Sequence, residues 1–111
     1  MLHYDNTHVD KMIRRLVLDV LKPHNPDKIE LSKKLSGLKG VDGVNIITIE
    51  IDKDVENVKI IMEGPDIHFN TIKKIIEDFG GAIHSIDGVA AGKKLIEDVR
   101  TPQDVSTTFL R

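Results

Sequence analysis

Glycines and paired lysines in the stretch GGAIHSIDGVAAGKK, residues 80–94, are the first candidates for chemistry in this chain. A phosphate-binding Walker A loop has the pattern G-x-x-x-x-G-K-[ST], in which backbone N–H groups surround phosphates and the hydroxyl binds Mg²⁺. The segment 88–94 is one residue short of that spacing and has Lys94 in place of the hydroxyl. We therefore expect a strand of small residues rather than a nucleotide site. Such a strand suits a contact between subunits, through Gly88, Val89, Ala90, Ala91 and Gly92.

A second candidate is the acidic segment that begins at Asp52. Asp52, Asp54 and Glu56 have the spacing of positions 1, 3 and 5 of a calcium-binding EF-hand loop. An EF-hand is excluded because Asn57 stands where the loop needs glycine, and because strands rather than helices flank the segment. Three carboxylates on one turn are still able to hold Ca²⁺ or Mg²⁺ weakly. The favoured interpretation is an acidic, solvated hairpin tip, and the metal site is the alternative.

The histidines give no strong indication of a catalytic or metal site. No two of them have a helical metal-binding spacing, and the chain contains no cysteine to complete a zinc site. His84 is predicted to approach Asp19 in the sheet, whereas strand alternation turns Ser85 to the opposite face. Without a nucleophile, a His–Asp pair does not make a catalytic triad, so we expect a structural role for His84. The complete set is His3, His8, His24, His68 and His84.

Six periodic segments must position these residues. Apolar alternation and β-branched runs predict four strands, and two segments have near-helical spacing. The order β-α-β-β-α-β predicts an α+β ferredoxin-like sandwich, in which an antiparallel sheet of order 4-1-3-2 has both helices on one face. The predicted strands are 13–21, 43–52, 58–64 and 82–92.

The predicted helices have recognisable ends. Asn25 before Pro26 is expected to cap the first helix, which Gly40 ends, and Asp66 is expected to cap the second, which Gly80 ends. The core faces of the two helices are predicted to carry Ile29, Leu31, Leu35 and Leu38, and Phe69, Ile72, Ile76 and Phe79. One helical turn is expected after residue 92. The predicted division of the chain is a loose arm at 1–11, a domain at 12–100 and a polar tail at 101–111.

The sheet face away from the helices is predicted to be mixed. In the antiparallel order, Asp19 is expected to lie opposite Lys59, and Arg15 opposite Glu63, as cross-strand charge pairs. Apolar residues between these charges favour a protein partner or a second copy of the chain. They are Val17, Ile46 and Ile61.

Several spaced segments in this order resemble archaeal domain-of-unknown-function family 211. They are RRLVLDVLKPH, VDGVNI, ENVKI, FGGAIHSID, AGKK and RTPQD, and the resemblance covers roughly residues 12–104. It implies a ferredoxin-like fold that assembles into a homo-oligomer. It implies no activity, and so no catalytic residue is transferred to this sequence.

Composition excludes several classes of function. A formal net charge of −2 without basic clusters provides no surface for nucleic acid or anionic membranes, and no apolar run is long enough for a membrane span. The predicted central strands lack the aromatic residues on which RNA-recognition modules stack bases. The absence of cysteine excludes thiol catalysis and fits a cytoplasmic location. The start MLHYDNTHVDK has no apolar region typical of a signal peptide. Few aromatic and many Ile, Val, Lys and Glu residues are weakly typical of thermophilic proteins.

The sequence therefore predicts a small homo-oligomeric interaction module and no enzyme. No cofactor is expected apart from the alternative of Ca²⁺ or Mg²⁺ at Asp52, Asp54 and Glu56. The alternative is a regulatory domain that binds a small ligand, similar to amino-acid-binding domains of the same fold. Its candidate binding segments are Asp42-Gly43 and Gly80-Gly81.

Overall fold

The computed structural model describes residues 11–97, and the predicted arm and tail lie almost entirely outside that range. Its elements follow the predicted order β-α-β-β-α-β. All neighbouring strands are antiparallel, in the order β2-β3-β1-β4, which is 4-1-3-2 read from the other edge. The ferredoxin-like prediction is confirmed. The elements are β1 (Ile13–Pro23), α1 (Lys28–Ser36), β2 (Gly43–Ile51), β3 (Val55–Glu63), α2 (Phe69–Asp78) and β4 (Ala82–Ala91).

One face of the sheet forms the core with the two helices. Alternate residues of β1 and β3 are paired across the strands on this face and are almost completely buried. Burial of each such aliphatic side chain contributes about 1.5–3 kcal/mol, which makes this layer the main source of stability. The residues are Leu16, Leu18 and Val20 from β1, Val58, Ile60 and Met62 from β3, Leu31 and Leu35 from α1, and Ile72, Ile75 and Ile76 from α2.

Helix α1 begins and ends at residues other than those predicted. The carboxylate of Asp27 accepts a hydrogen bond from the Glu30 backbone N–H at 3.0 Å, so Asp27 rather than Asn25 is the N-cap. The helix ends at Gly37, three residues before Gly40. Ile29 was predicted to face the core but is 64% exposed, because the shorter helix buries only one narrow stripe.

Helix α2 has the predicted core face but a different start. His68 is the N-cap residue, and the Asp66 carboxylate bonds to the His68 ring at 3.0 Å instead of capping the helix. At the other end Gly80, with φ of 83°, takes the left-handed conformation that ends the helix as predicted. The predicted helical turn after β4 is wrong, since residues 92–97 contain bends without helix.

Two glycines bring the loops after α1 and after β3 into direct contact. The Asp66 N–H donates to the Gly40 carbonyl at 3.2 Å, and the Asp42 N–H donates to the Glu63 carbonyl at 2.8 Å. A Cβ atom on Gly64 would overlap the Gly40 carbonyl, and one on Gly40 would overlap the Asp66 carbonyl. This close approach needs glycine at both positions.

Candidate functional site

The outer face of the sheet, which faces away from the helices, carries the predicted charge pairs. Arg15 lies opposite Glu63 and bonds to its carboxylate at 2.7 Å, while a second bond of 2.8 Å joins Arg15 to Glu97. The bonds to Glu97 and Glu63 raise the pKa of Arg15 above its usual range. Asp19 lies opposite Lys59 as predicted, but its carboxylate accepts a hydrogen bond from the Asn57 amide. Of the two predicted charge pairs, the one between Arg15 and Glu63 therefore forms an ion pair, whereas Asp19 bonds to a neutral amide.

Two of the three predicted apolar residues occupy the outer face. Val17 and Ile61 lie opposite each other and are half-buried. The prediction for Ile46 is wrong, because it pairs with Ile60 on the core side and packs against the core cluster. Ile47 takes the outer position on β2 instead, opposite Lys59.

The segment of small residues in β4 forms one free edge of the sheet. Gly88 lies opposite Val17, and a Cβ atom there would sit 3.4 Å from the valine methyl. Val89 is 57% exposed and Ile86 is 51% exposed, both on the side of the sheet that the helices cover elsewhere. Ala90 lies opposite Arg15, and Ala91 and Gly92 complete the segment at its end. The described residues place no strand beyond β4, so its outer backbone groups have no neighbouring strand there.

The other edge, β2, is interrupted. Its register with β3 is regular from Gly43 to Thr48 and shifts before Glu50, which leaves Ile49 as an extra residue in a bulge. The bulged residue Ile49 and the following Ile51 are both exposed, close to the charged turn. A bulge of this kind twists an edge strand away from new partners.

The acidic turn does not form the three-carboxylate site that its spacing suggested. Asp52 and Asp54 are exposed on the turn, whereas Glu56 is buried on the helix side of β3. One Glu56 oxygen lies 2.9 Å from the Lys28 ammonium, and the other lies 3.1 Å from the His24 ring. Residues 11–97 contain no group of three His, Asp or Glu side chains placed to hold a metal ion. The geometry therefore supports an acidic hairpin tip at Asp52 and Asp54, whereas Glu56 bonds to Lys28 and His24 instead.

Glu56 is the centre of an ionic cluster with Lys22, His24 and Lys28. Lys22 lies opposite Glu56 in the sheet, is only 1% exposed, and donates to the Pro23 carbonyl at 2.6 Å. Burial lowers the pKa of Lys22, and Glu56 partly counteracts this shift. Hydrogen bonds from His24 and Lys28 hold the pKa of Glu56 below its usual range.

Ser85 does not occupy its predicted position. Two bulges in β4 place Ser85, not His84, opposite Asp19, and they leave His84 exposed as an extra residue. The Ser85 hydroxyl donates to the Asp87 carboxylate at 2.7 Å. The expectation that alternation turns Ser85 away from Asp19 is therefore wrong, because the bulge at His84 reverses the alternation, while His84 itself lies beside Ser85 at the Asp19 end of β1.

Of the two glycine segments suggested for a small ligand, one lines a depression. Asp42 and Gly43 border an open hollow of about 410 Å³ at the end of the outer face, together with Val44, Asn45, Ile61 and Glu63. Gly81 is instead packed tightly, since a Cβ atom there would lie 3.0 Å from the Ile76 side chain.

Comparisons with known proteins cover almost the whole described region. A family model described as "Uncharacterized ArCR" matches residues 14–105. The uncharacterized protein MJ0319 of Methanocaldococcus jannaschii is 59% identical over 92 residues, which are 83% of this chain and 95% of that protein. None of the helices within residues 11–97 is long and apolar enough to cross a membrane.

Proposed function

The chain belongs to the archaeal DUF211 family, which is uncharacterized. For this member of the family we propose the role of a cytoplasmic, non-catalytic assembly module. In this proposal, copies of the chain associate through the edge of β4 and the outer face of the sheet. The observation that carries the proposal is the uncharged, partly apolar edge at residues 88–91.

A free strand edge of this composition favours pairing with another strand. Edge strands are normally protected by charges, prolines or bulges, because their unpaired N–H and C=O groups are open to another chain. The bulged residues of β4, His84 and Asp87, lie before the small residues, and the register shift beside Ala90 and Ala91 has its extra residue, Arg14, on β1. Residues 88–91 therefore contain no bulged residue of their own. A strand added along this edge would cover the exposed Val89 and Ile86 and satisfy the free backbone groups.

The outer face offers an adjoining contact surface. Ile61, Val17 and Gly88 form an apolar row across β3, β1 and β4. Of the flanking charges, Arg15 is paired with Glu63, and Asp19 accepts a hydrogen bond from the neutral Asn57 amide. Covering this row therefore leaves fewer unpaired charges than an isolated lysine or carboxylate would.

Light scattering of the full-length protein tests the proposal. At tens of micromolar, the wild-type chain is expected to have a mass that is a multiple of 12.4 kDa. Val89→Lys places a charge on the β4 edge and is expected to shift the protein toward monomer. The matched control is Ile29→Lys, since Ile29 is similarly exposed, at 64%, but lies on α1.

Two outcomes would contradict the proposal in different ways. A wild-type protein that stays a 12.4 kDa monomer at several hundred micromolar removes self-association altogether. A wild-type oligomer that Val89→Lys and Ile29→Lys leave equally intact keeps self-association but removes the β4 edge.

The hollow beside Asp42 supports a second candidate, a small-ligand regulatory domain. Its volume of about 410 Å³ is sufficient for a metabolite, and Glu63 and Asn45 provide polar groups at its border. Thermal-shift screening against amino acids and other metabolites tests this candidate, because a ligand that binds only the folded state raises the melting temperature. A hit that Asn45→Leu abolishes would favour the regulatory role over assembly alone.

A further inference from the structure

The His24 ring joins the end of β1 to the turn between β2 and β3. Its Nδ1 atom lies 3.1 Å from the Glu56 carboxylate. Its Nε2 atom lies 3.0 Å from the Asp52 carbonyl and 3.1 Å from the Lys53 carbonyl. One side chain therefore holds a buried carboxylate on one side and the backbone of an exposed turn on the other.

Within residues 11–97, every group at hydrogen-bond distance from the ring nitrogens is an acceptor. Backbone carbonyls cannot donate, and neither can an ionised carboxylate. Both ring nitrogens must therefore carry hydrogen for all three contacts to be favourable, so this geometry requires the imidazolium form of His24. A neutral ring would turn one lone pair toward an oxygen.

The surrounding charges determine which contact a neutral ring would keep. Glu56 supports the positive charge of His24, and the same carboxylate also faces the ammonium groups of Lys22 from β1 and Lys28 from α1. The Asp52 carboxylate is occupied by the Lys53 backbone N–H at 2.7 Å. A hydrogen bond to a carboxylate is stronger than one to a carbonyl, so the remaining hydrogen stays on Nδ1 and the contact of Nε2 with the turn is lost.

We infer that His24 is a pH-operated latch, which holds the β2–β3 turn when protonated and releases it when deprotonated. The hydrogen bond to Glu56 and then the Lys53 carbonyl raise the pKa of His24 above 6.5, so release occurs on the alkaline side of that value. Once the latch is open, the bonds left to the turn within the described part of the chain are local, from the Asp52 N–H to the Val55 carbonyl at 2.9 Å and from the Lys53 N–H to the Asp52 carboxylate.

Amide hydrogen exchange of the full-length protein tests the latch. Protection factors, corrected for intrinsic rates, are measured from about pH 6 to about pH 9, where histidine titrates. In the wild type, protection of the Asp52 and Lys53 amides is expected to fall several-fold with rising pH, while core amides such as Ile60 stay constant. In His24→Gln, protection of the turn is expected to be low throughout. His84→Gln is the control, because His84 is exposed on β4, and it is expected to behave as wild type.

A measurement on the wild type makes the test independent of the variants. Nitrogen-15 spectra of the imidazole distinguish a ring with two N–H groups from either neutral tautomer. The latch predicts two N–H groups on His24 at about pH 6. A neutral His24 ring at that pH, or turn protection that is constant in wild type across the range, overturns the inference.

Discussion

At the carboxyl end of β1 the neighbouring elements are held by ionisable side chains, whereas at its amino end they are held by backbone carbonyls and close-packed glycines. The first end contains the cluster of Lys22, His24, Lys28 and Glu56. At the second end, the Arg14 guanidinium donates to three carbonyls, at 3.2 Å to Gly64, 3.3 Å to Gly92 and 2.9 Å to Lys93.

The two ends of β1 are therefore held to their neighbouring elements by different kinds of interaction. The ionic end depends on protonation states, because histidine and glutamate each change charge within the range of common buffers. The stability of the glycine–arginine end depends on close packing of the backbone and on a guanidinium that keeps its charge. The comparison predicts that stability responds to pH through one end of β1 and to backbone shape through the other.

The largest expected effect comes from adding one methyl group at the glycine–arginine end. In Gly64→Ala the new Cβ would overlap the Gly40 carbonyl, so the two loops must separate. We expect a loss of about 3 kcal/mol in the free energy of unfolding, since the atoms that the new Cβ would meet belong to the backbone of Gly40 and Asp42 rather than to a flexible side chain. Urea titration at one fixed protein concentration measures it, because association would otherwise change the apparent stability.

Gly43→Ala is the matched control for this substitution. Gly43 begins β2 close to the same loops, but its Cβ would meet no atom within 4 Å. We expect a change close to zero. Equal losses for the two variants would show that close packing at Gly64 does not explain the effect.

The next effect is expected at the ionic end. Glu56→Gln removes the carboxylate that faces Lys22, His24 and Lys28. Breaking a buried ion pair costs 3–5 kcal/mol, but His24 and Lys28 are each 37% exposed and stay partly hydrated, so we expect about 2 kcal/mol. Asp54→Asn on the exposed turn is the control and is expected to have little effect, as measured by the same urea titration.

Glu56 also makes the stability contributed by the ionic end depend on pH in the acidic range. Since the pKa of Glu56 is lowered in the folded state, its contribution is present above the unfolded value of about 4.5 and is lost as pH falls through the folded value. The wild type is therefore expected to lose stability below that pH, with a smaller loss in Glu56→Gln. Parallel pH profiles of the two proteins would contradict this assignment.

Much of the fold was predictable because β1 and β3 each have one continuous apolar face. Leu16, Leu18 and Val20 occupy one phase of β1, and the charged Arg15 and Asp19 mark the other phase as the outer face. The strand and its outer face therefore followed from the pattern, including Arg15 opposite Glu63. In β2, isoleucine occupies positions on both faces, and only the register with β3 decides that Ile46 faces the core. Alternation cannot determine a face when both phases are apolar.

The ionic cluster was not predicted, although the sequence contains a signal for it. Lys22 continues the inward phase of Leu16, Leu18 and Val20, and Glu56 continues that of Val58. A lysine and a glutamate that both follow a buried phase, on strands that pair, indicate a buried ion pair. His24 was not identifiable in this way, since its contacts depend on the conformation of the β2–β3 turn.

Arg14→Lys gives a smaller loss and tests whether the glycine–arginine end is insensitive to pH. A lysine ammonium cannot bond to three separated carbonyls in the way that the planar guanidinium does. We expect a loss of about 1 kcal/mol, as one or two hydrogen bonds from a charged group are weakened. The loss should be the same at about pH 5 and about pH 8, because neither arginine nor lysine titrates in this range. A pH-dependent loss would mean that Arg14 is coupled to the ionic end.

The smallest effect is expected for the same substitution one residue further along β1. Arg15 lies on the outer face and bonds to Glu63 and Glu97, whose side chains are 48% and 67% exposed. Surface ion pairs of this kind contribute little, because their attraction is weak next to water and holding two long side chains in one geometry costs entropy. In the monomeric protein we expect Arg15→Lys to leave the midpoint of urea unfolding unchanged within experimental error. At concentrations where the protein associates, a loss as large as that of Arg14→Lys would show that the outer face is buried between copies, because only desolvation makes such a pair strong. In that case the excess loss should disappear on dilution to the monomer, since the outer face would then be exposed to water.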